Sequence, residues 1–545
     1  MTTRIARASL LLAGLLAAGP AVGGPRSSLS PRLRDAVDVG RSAPSALRYL
    51  VVGLALRDRA GLDALLADLQ NPASPRYHRF LTPAEFAATY APTPQAEAAI
   101  VAHLEASGLT VTERLPDRLA VAAVGTTAAV ERAFATEVHD VILDGRPGFA
   151  ATVEPALPAA LADHVVGVLG LDDLVAARPH LVARAAAAPR AALGRNCCHL
   201  GPADVASLYD VPAVPAGAGE TVIVAGVYRW KDEDIAAFDR QWGLPDPPLP
   251  STQVCTGRPR ASGCRFGRKK SLEAALDVEW AHALAPGARV VNYMAASPLV
   301  VRLAMAYAQI VNDDPGHVVT TSWGACEANV PPSTQAFDDE VFASGAALGQ
   351  AWLASTGDHG AEDCRGDPSG NHRRLAVDHP ANSPHVVGVG GTTPTCAEGL
   401  VPGDPACAGY GGEAAWEGSG GGTSAVFARP SFQTGCGAPA GAARLVPDVA
   451  LAADPRVGNY TVVGRKWFVV GGTSAATAMW AGLFARVAAQ AGAPGDPAPR
   501  LYALCGTSAF HDVTLGSNGA YQAGPGYDLV TGLGSPDVGA LLAAY

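Results

Sequence analysis

Thr221-Val222-Ile223-Val224-Ala225-Gly226-Val227 is an unbroken apolar run. A strand with one wet face alternates apolar and polar residues, whereas a strand covered on both faces does not, so this one reads as buried on both sides. The residues after it repeat the theme. Helical spacing over 233–242, 272–284, 299–312 and 335–347 alternates with strand-like runs over 289–294, 317–322 and 350–355. Buried strands separated by helices predict an α/β unit built on a parallel sheet with helices on both faces. In such sheets function gathers beyond the carboxyl ends of the strands.

Working toward the N-terminus, a smaller unit precedes this one. Over 48–143 the pattern gives a strand at 49–56, a helix at 61–69, and a capping-box start at Thr82, Pro83 and Glu85. A helix over 95–106 stops at Gly108, strands follow at 109–114 and 119–124, a helix at 127–136, and a last strand at 138–143. That order predicts a two-layer α+β domain of ferredoxin-like type. Between residues 176 and 195 the chain turns rich in Ala, Arg and Pro, with little periodicity for a core to use. It reads as an interdomain linker, and a processing site within it is the sharper expectation.

The first residues read as a signal peptide over 1–23: Arg4 and Arg7, an apolar run from Ser9 to Ala18, then small Ala21, Val22 and Gly23. The run is too short to span a bilayer, so a secreted protein with no membrane partner is expected. Ten cysteines suit that compartment. Cys255 with Cys264 and Cys396 with Cys407 are close enough to staple loops, while adjacent Cys197 and Cys198 are poor candidates to pair with each other. Net charge is −10, from 50 acidic and 40 basic residues, with only the short run Arg268-Lys269-Lys270 as a basic cluster. Nucleic acid is therefore not an expected partner.

Chemistry concentrates in three places. In Gly471-Gly472-Thr473-Ser474-Ala475-Ala476, small residues permit a sharp turn before a helix-like run over 475–489. Ser474 then sits at a helix N-terminus, where free N–H groups favour a developing oxyanion; an ordinary helix cap has the same look. In Ser271-Leu272-Glu273-Ala274-Ala275-Leu276-Asp277-Val278-Glu279-Trp280, Glu273 and Asp277 fall at i and i+4 on one helix face with apolar neighbours. Two such carboxyls are either solvated surface acids or a stacked pair, one of which holds its proton to raised pH. Finally, the strand Leu353-Ala354-Ser355 runs into Thr356-Gly357-Asp358, either an Asp turn or a strand-end functional acid. Histidine is a weak base candidate: His359 follows Asp358, but no His-Gly-Thr helix start precedes the serine.

In order along the chain these motifs resemble the sedolisins, the serine-carboxyl peptidases that include the kumamolisins and tripeptidyl-peptidase I. Ser322-Trp323-Gly324, Val389-Gly390-Gly391-Thr392 and Val446-Pro447-Asp448-Val449-Ala450 extend the likeness. Asn71-Pro72-Ala73-Ser74-Pro75-Arg76-Tyr77-His78 and Leu81-Thr82-Pro83-Ala84-Glu85-Phe86 resemble the activation domain. The resemblance implies an activation prodomain over 24–175, a linker over 176–195, and a subtilisin-like α/β sandwich peptidase domain over 196–545. It implies Ser474 as nucleophile, Glu273 as general base, Asp277 orienting it, and protonated Asp358 donating to the oxyanion with the Ser474 N–H.

An unperturbed histidine has a pKa of about 6.5, so at pH 4 only roughly 0.3% could act as base, whereas a carboxylate remains usable. Acid-dependent activity is therefore expected, from a self-processing, monomeric endopeptidase acting on proteins or peptides and inhibited by its own prodomain. The C-terminal His511-Asp512-Val513-Thr514, Ala523-Gly524-Pro525-Gly526-Tyr527-Asp528 and Thr531-Gly532-Leu533-Gly534-Ser535-Pro536 offer hard oxygens on a turn-rich backbone. The resemblance implies one structural Ca2+ there, held by the side chains of Asp512 and Asp528 and the carbonyls of Val513, Gly524 and Gly526.

Three positions depart from the family pattern: Ala478 where proline is usual, Ala225-Gly226 near where some members carry a further glutamate, and His359 where serine is common. A cationic His359 would favour ionised Asp358. Competing readings are a histidine-dependent subtilisin-type protease, a catalytically silent binding protein on the same fold, and, less well matched, an esterase, for which no Gly-x-Ser-x-Gly elbow is seen.

Overall fold

A computed structural model describes residues 26–189, 199–247, 252–256, 262–366, 373–397, 407 and 409–545. The expected signal peptide, Cys197, Cys198 and the last part of the linker, 190–195, lie outside the described residues.

The apolar run forms the Thr221–Gly226 strand near the middle of an eight-stranded sheet. Its neighbours are Arg289–Ala295 and Val318–Thr321, both parallel to it. Outward lie Thr252–Thr256 on one side and Ala351–Ser355, Val387–Cys396 and antiparallel Tyr410–Ala415 on the other, with Val449–Ala452 also paired to Val387–Cys396. The chain winds one way from Thr221–Gly226 and then the other, which leaves a crevice beyond the carboxyl ends where the order reverses.

Alternation within the strands explains the two cores. Val222, Val318, Leu353 and Val387 pack on the helices Leu272–Leu284 and Thr473–Ala491. Ile223, Val319, Trp352 and Ala354 face the helices Val300–Asp313 and Pro332–Ala347. All thirteen residues of Leu272–Leu284 are buried, charged ones included, because this helix is sandwiched rather than laid on the surface. Among the described residues, Cys255–Cys264, Cys326–Cys364, Cys396–Cys407 and Cys436–Cys505 are disulfides; the first and third match the spacing argument, and the other two span too much sequence for it.

The N-terminal unit has a four-stranded sheet in the order Thr110–Arg114, Ala120–Thr126, Leu47–Leu54, Val165–Leu169, all antiparallel. This is the ferredoxin-like order, but its fourth strand is not the expected 138–143. Val138–Leu143 instead pairs with Val37–Arg41 and Arg146–Ala151 in a separate three-stranded sheet. The reason is local: Asp144 and Gly145 both have positive φ (52° and 72°) and make a two-residue hairpin that hands the strand to its sequence neighbour. The expected capping box is present, Thr82 Oγ1 accepting from Glu85 N–H and the Glu85 carboxylate accepting from Thr82 N–H.

The unit rests on the Pro332–Ala347 helix. A side chain at Gly53 would collide with Phe337 and one at Gly167 with Ser333, so these glycines set the closeness of the seat. Arg59 reaches across to Asp339 (3.0 Å) and Glu340 (3.3 Å).

Candidate active site

Glu273 and Asp277 project from one face of Leu272–Leu284, and Ser474 opens the neighbouring helix Thr473–Ala491. The two helices cross closely, since a Cβ at Gly482 would lie 2.7 Å from the Ala281 carbonyl oxygen. That crossing brings the acids under the serine, and all three side chains are at most 1% exposed. Ser322, at the end of Val318–Thr321, donates its hydroxyl to Asp277 Oδ1 at 2.7 Å.

Burial pushes the Glu273 carboxyl well above the ordinary range, the Asp277 charge adds to this, and the nearby Ser474 hydroxyl opposes it. Burial raises Asp277 too, against donation from Ser322. Neither Glu273 oxygen nor Ser474 Oγ makes a hydrogen bond of ordinary geometry, so the two side chains are neighbours without being joined. In particular, among the described residues no histidine is hydrogen-bonded to Ser474 Oγ. Trp323 lies against Gly226, where an added Cβ would sit 3.0 Å from its Nε1. A further glutamate there would require the indole to move, and in this chain the hydrogen-bonded extension of the acid pair runs to Ser322 instead.

Asp358 follows the Ala351–Ser355 strand through Gly357, whose φ of 100° suits glycine. Its Oδ1 accepts from Thr473 N–H (2.8 Å) and Thr473 Oγ1 (3.0 Å), while Oδ2 has no partner. Burial raises this carboxyl to about 6, with nearby His180 and the Thr473 donors pulling it down. Burial also pushes His359 down, helped by the charges of His180, Arg178 and Arg365, which favours its neutral form and removes the expected conflict with a protonated Asp358.

The linker is not a passive connection. Arg178–Pro179 pairs antiparallel with Trp323–Cys326, and His180 N–H donates to the Ser322 carbonyl at 3.2 Å. Next, the Ser474 N–H donates to the His180 carbonyl oxygen at 3.1 Å. Val182–Ala185 then pairs antiparallel with Lys466–Gly471, the strand that leads into the serine turn. Gly472, with φ of 120°, makes room: a side chain there would collide with the His180 carbonyl oxygen and touch Asp358 Oδ2. The chain therefore crosses the candidate site in extended form, with the His180 carbonyl accepting from Ser474 N–H and, like the free Asp358 oxygen, lying close to Gly472. Sequence reasoning missed this because Ala-rich 176–195 has no periodicity of its own; its strands exist only by pairing with the cleft.

The His180 ring is enclosed. Its Nδ1 lies 2.7 Å from Ser355 Oγ and its Nε2 3.3 Å from Asp378 Oδ2. Atoms of His180, Asp363 and Asp378 capable of holding a metal ion all lie within 4.8 Å of one another, so this acidic cluster is a possible metal site. Burial is the main force on each: it lowers His180, raises Asp363 well above its usual range and raises Asp378 to about 8.

The expected calcium residues also meet in one loop cluster. Asp512 Oδ2 accepts from Gly526 N–H (2.9 Å), and Asp528 accepts from Gly524, Val530 and Thr531 N–H and from Thr531 Oγ1. The two carboxylates are thus drawn to the same 524–526 turn, and hard oxygens of this kind suit Ca2+. Asp512 keeps lone pairs free, while Asp528 would exchange at least one of its four hydrogen bonds to bind an ion.

Residues 34–174 match the family described as Pro-kumamolisin, activation domain. Over its length the chain is 33% identical to Sedolisin of Pseudomonas sp. (strain 101), covering 94% of this chain and 89% of that protein. It is 32% identical to Kumamolisin of Bacillus sp. (strain MN-32), covering 91% and 93%. Among solved structures, Pseudomonas sedolisin, a serine-carboxyl proteinase complexed with two molecules of pseudo-iodotyrostatin, superposes with a TM-score of 0.56 at 29% identity. That superposition covers 64% of this chain and 98% of that one.

Proposed function

The chain belongs to the sedolisin family of serine-carboxyl peptidases and carries an activation prodomain. From this we propose that it is exported as a monomeric zymogen, cuts its own linker at His180–Leu181, and then hydrolyses peptide bonds in acid through an acyl-enzyme on Ser474. The observation that carries the reading is the hydrogen bond from Ser474 N–H to the His180 carbonyl, flanked by strand pairing on both sides. A peptide bond held this way presents its carbonyl carbon to Ser474 Oγ.

In the proposed reaction Oγ attacks that carbon while Glu273 takes the hydroxyl proton. The acid pair carries one shared proton beforehand, so accepting a second neutralises it, which a dry site favours. Negative charge grows on the carbonyl oxygen, where the Ser474 N–H and a protonated Asp358 Oδ2 donate. The C–N bond breaks as the proton passes from the pair to the leaving amine. Water, deprotonated in turn by Glu273, then releases the acyl group. An Asp358 that titrates at about 6 in the folded chain is a donor only below that pH, and this supports acid activity.

Endopeptidase action is supported by the length of chain in the cleft. Ala177 N–H still donates to the Pro298 carbonyl and Ala176 bridges Leu299, so the unprimed side is open beyond three residues. No helix among the described residues is long and apolar enough to cross a membrane.

Prodomain release has a candidate trigger in Arg59 and its acids. Burial pushes Asp339 up, but Arg59 and His385 more than offset it and hold the carboxyl below its usual value of 3.8; Glu340 is raised by burial despite Arg59. Asp339 thus contributes stability above its ordinary pKa and loses it as pH falls through its lowered one, so release belongs to strong acid. One Ca2+ on the Asp512–Asp528 loops would tie down the C-terminal segment. The test is acid treatment of the purified full chain beside Ser474→Ala and Glu273→Gln, with digestion of a denatured protein as readout. Acid-dependent digestion by the parent alone is expected; digestion retained in Glu273→Gln but lost in His359→Ala would overturn the carboxylate base.

A further inference from the structure

All four lysines of the chain lie on one surface. Lys231, Lys269, Lys270 and Lys466 come from three separate stretches of a protein whose net charge is −10. Short contacts join them. Lys270 Nζ lies 5.5 Å from the centre of the Tyr228 ring and Lys231 Nζ 4.6 Å from that of Phe266, so the 228–231 and 265–270 segments run side by side. Arg268 packs on the two-residue turn Gly464-Arg465, since a Cβ at Gly464 would sit 2.6 Å from its Nε, and Lys466 follows that turn. Glu233 bridges Lys231 (3.1 Å) and Arg465 (3.3 Å). Among the described residues no carboxylate is ion-paired with Arg268, Lys269, Lys270 or Lys466, and all four are exposed.

We infer that this surface docks acidic peptide: it receives the substrate chain from the sixth residue after the cut bond onward and favours substrates with acidic residues there. The inference rests on the peptidase reading above and names a feature of its substrates. Three observations carry it.

First, the cleft leads to this surface. Val182–Ala185 pairs antiparallel with Lys466–Gly471, running from Gly471 toward Lys466, and Ala186 N–H donates to the Trp467 carbonyl at 3.0 Å. A chain cut after the residue in the His180 position and held in this register brings its sixth following residue to the foot of the Gly464-Arg465 turn.

Second, the surface is held in place. Asp234 accepts from Gly464 N–H (2.7 Å) and Arg465 N–H (3.0 Å), which pins the turn. Ser271 Oγ accepts from Gly267 N–H (3.1 Å), which ties the basic loop to the start of the helix bearing Glu273. A surface ordered beforehand loses less freedom on binding.

Third, the chain's own linker makes no use of the charge. No acidic residue occurs between Asp173 and Asp204, and the residues that reach Phe468 and Trp467 are Ala185 and Ala186. Crowded like charges repel one another, and carboxylates of an incoming chain relieve that repulsion. An aspartate in a flexible peptide titrates near about 3.9, so an acidic tail is mostly ionised at pH 5, where Asp358, at about 6, still holds its proton. Docking and the proposed chemistry therefore share a pH window.

The experiment gives self-processed enzyme, at pH 5, two peptides that carry the linker sequence 175–185 followed by four aspartates or by four asparagines. The expected kcat/KM is roughly 5- to 20-fold higher for the aspartate tail, through a lower KM, and the ratio falls to within about twofold in high salt. The Lys269→Glu, Lys270→Glu double variant should lose the preference to the same extent. Equal rates for the two tails, or an undiminished preference in the double variant, overturns the docking surface and leaves the peptidase reading standing. So does binding to phosphatidylserine-containing vesicles without any tail preference, which makes the surface a lipid contact instead. If the double variant fails to accumulate, the tail ratio and its salt dependence in the parent enzyme decide. Processed enzyme that cuts neither peptide and no denatured protein overturns both readings.

Discussion

Two buried acid pairs lie near the junction where Ser474 N–H meets the His180 carbonyl. Glu273 and Asp277 lie beneath Ser474, and Asp363 and Asp378 surround the His180 ring. Burial pushes all four carboxyls toward the protonated form, and the neighbouring acid raises Glu273 and Asp363 further, yet what each pair faces is different. The first pair faces a hydroxyl that loses a proton in the proposed reaction, and its far end is tied to Ser322. The second faces a nitrogen base that already has one to share. A raised carboxyl pKa therefore marks a functional site without saying which function; the partner across the gap decides between catalysis and binding.

The largest effect that could break this contrast is on turnover. Ser474→Ala should lower kcat on the order of a millionfold, and Glu273→Gln by ~10²–10⁴-fold for every substrate. If Asp363→Asn cost as much on every substrate, the two pairs would not have separate jobs. Next is Asp358→Asn, expected to lower kcat by ~10²–10³-fold. In the parent enzyme kcat should fall as pH rises through about 6, as Asp358 loses its donor proton; a flat profile to pH 8 would contradict the oxyanion role.

A smaller effect concerns stability. Asp378 binds its proton more tightly folded (about 8) than unfolded (3.8), so its contribution is full below the unfolded value and lost as pH rises through the folded one. The Ser474→Ala zymogen, which cannot process itself, should accordingly melt several degrees lower at pH 8 than at pH 5, and Asp378→Asn should flatten that slope. The smallest expected effect is from chelation: a Ca2+ on the C-terminal loops predicts a lower Tm with a chelator, restored by added Ca2+, and no such response in Asp512→Ala.

Legibility in the sequence followed how local each signal is. The parallel sheet was readable because uninterrupted apolar strands and amphipathic spacing are local patterns, and the Leu272–Leu284 helix has the bounds its spacing gives. Glu273 and Asp277 were readable as a same-face pair, but only tertiary packing distinguishes a sandwiched helix from a surface one. Val138–Leu143 went astray because the Asp144-Gly145 hairpin signal just after it was not weighed. His180, Asp363 and Asp378 were out of reach: His180 comes from a linker far from the other two in the chain, Asp363 and Asp378 come from a short turn and a two-residue strand, and none sits in a periodic pattern. The Arg178-Pro179-His180 segment, polar amid alanines, was the one faint signal in the linker.

The central claim is that the linker lies in the cleft as the enzyme's first substrate. Its most direct test is to acidify the purified full chain and the Ser474→Ala variant side by side and determine the N-terminus of the earliest large fragment. The account predicts a fragment beginning at Leu181 from the parent and none from the variant. A first cut at another bond, or the same fragment from both proteins, would contradict it.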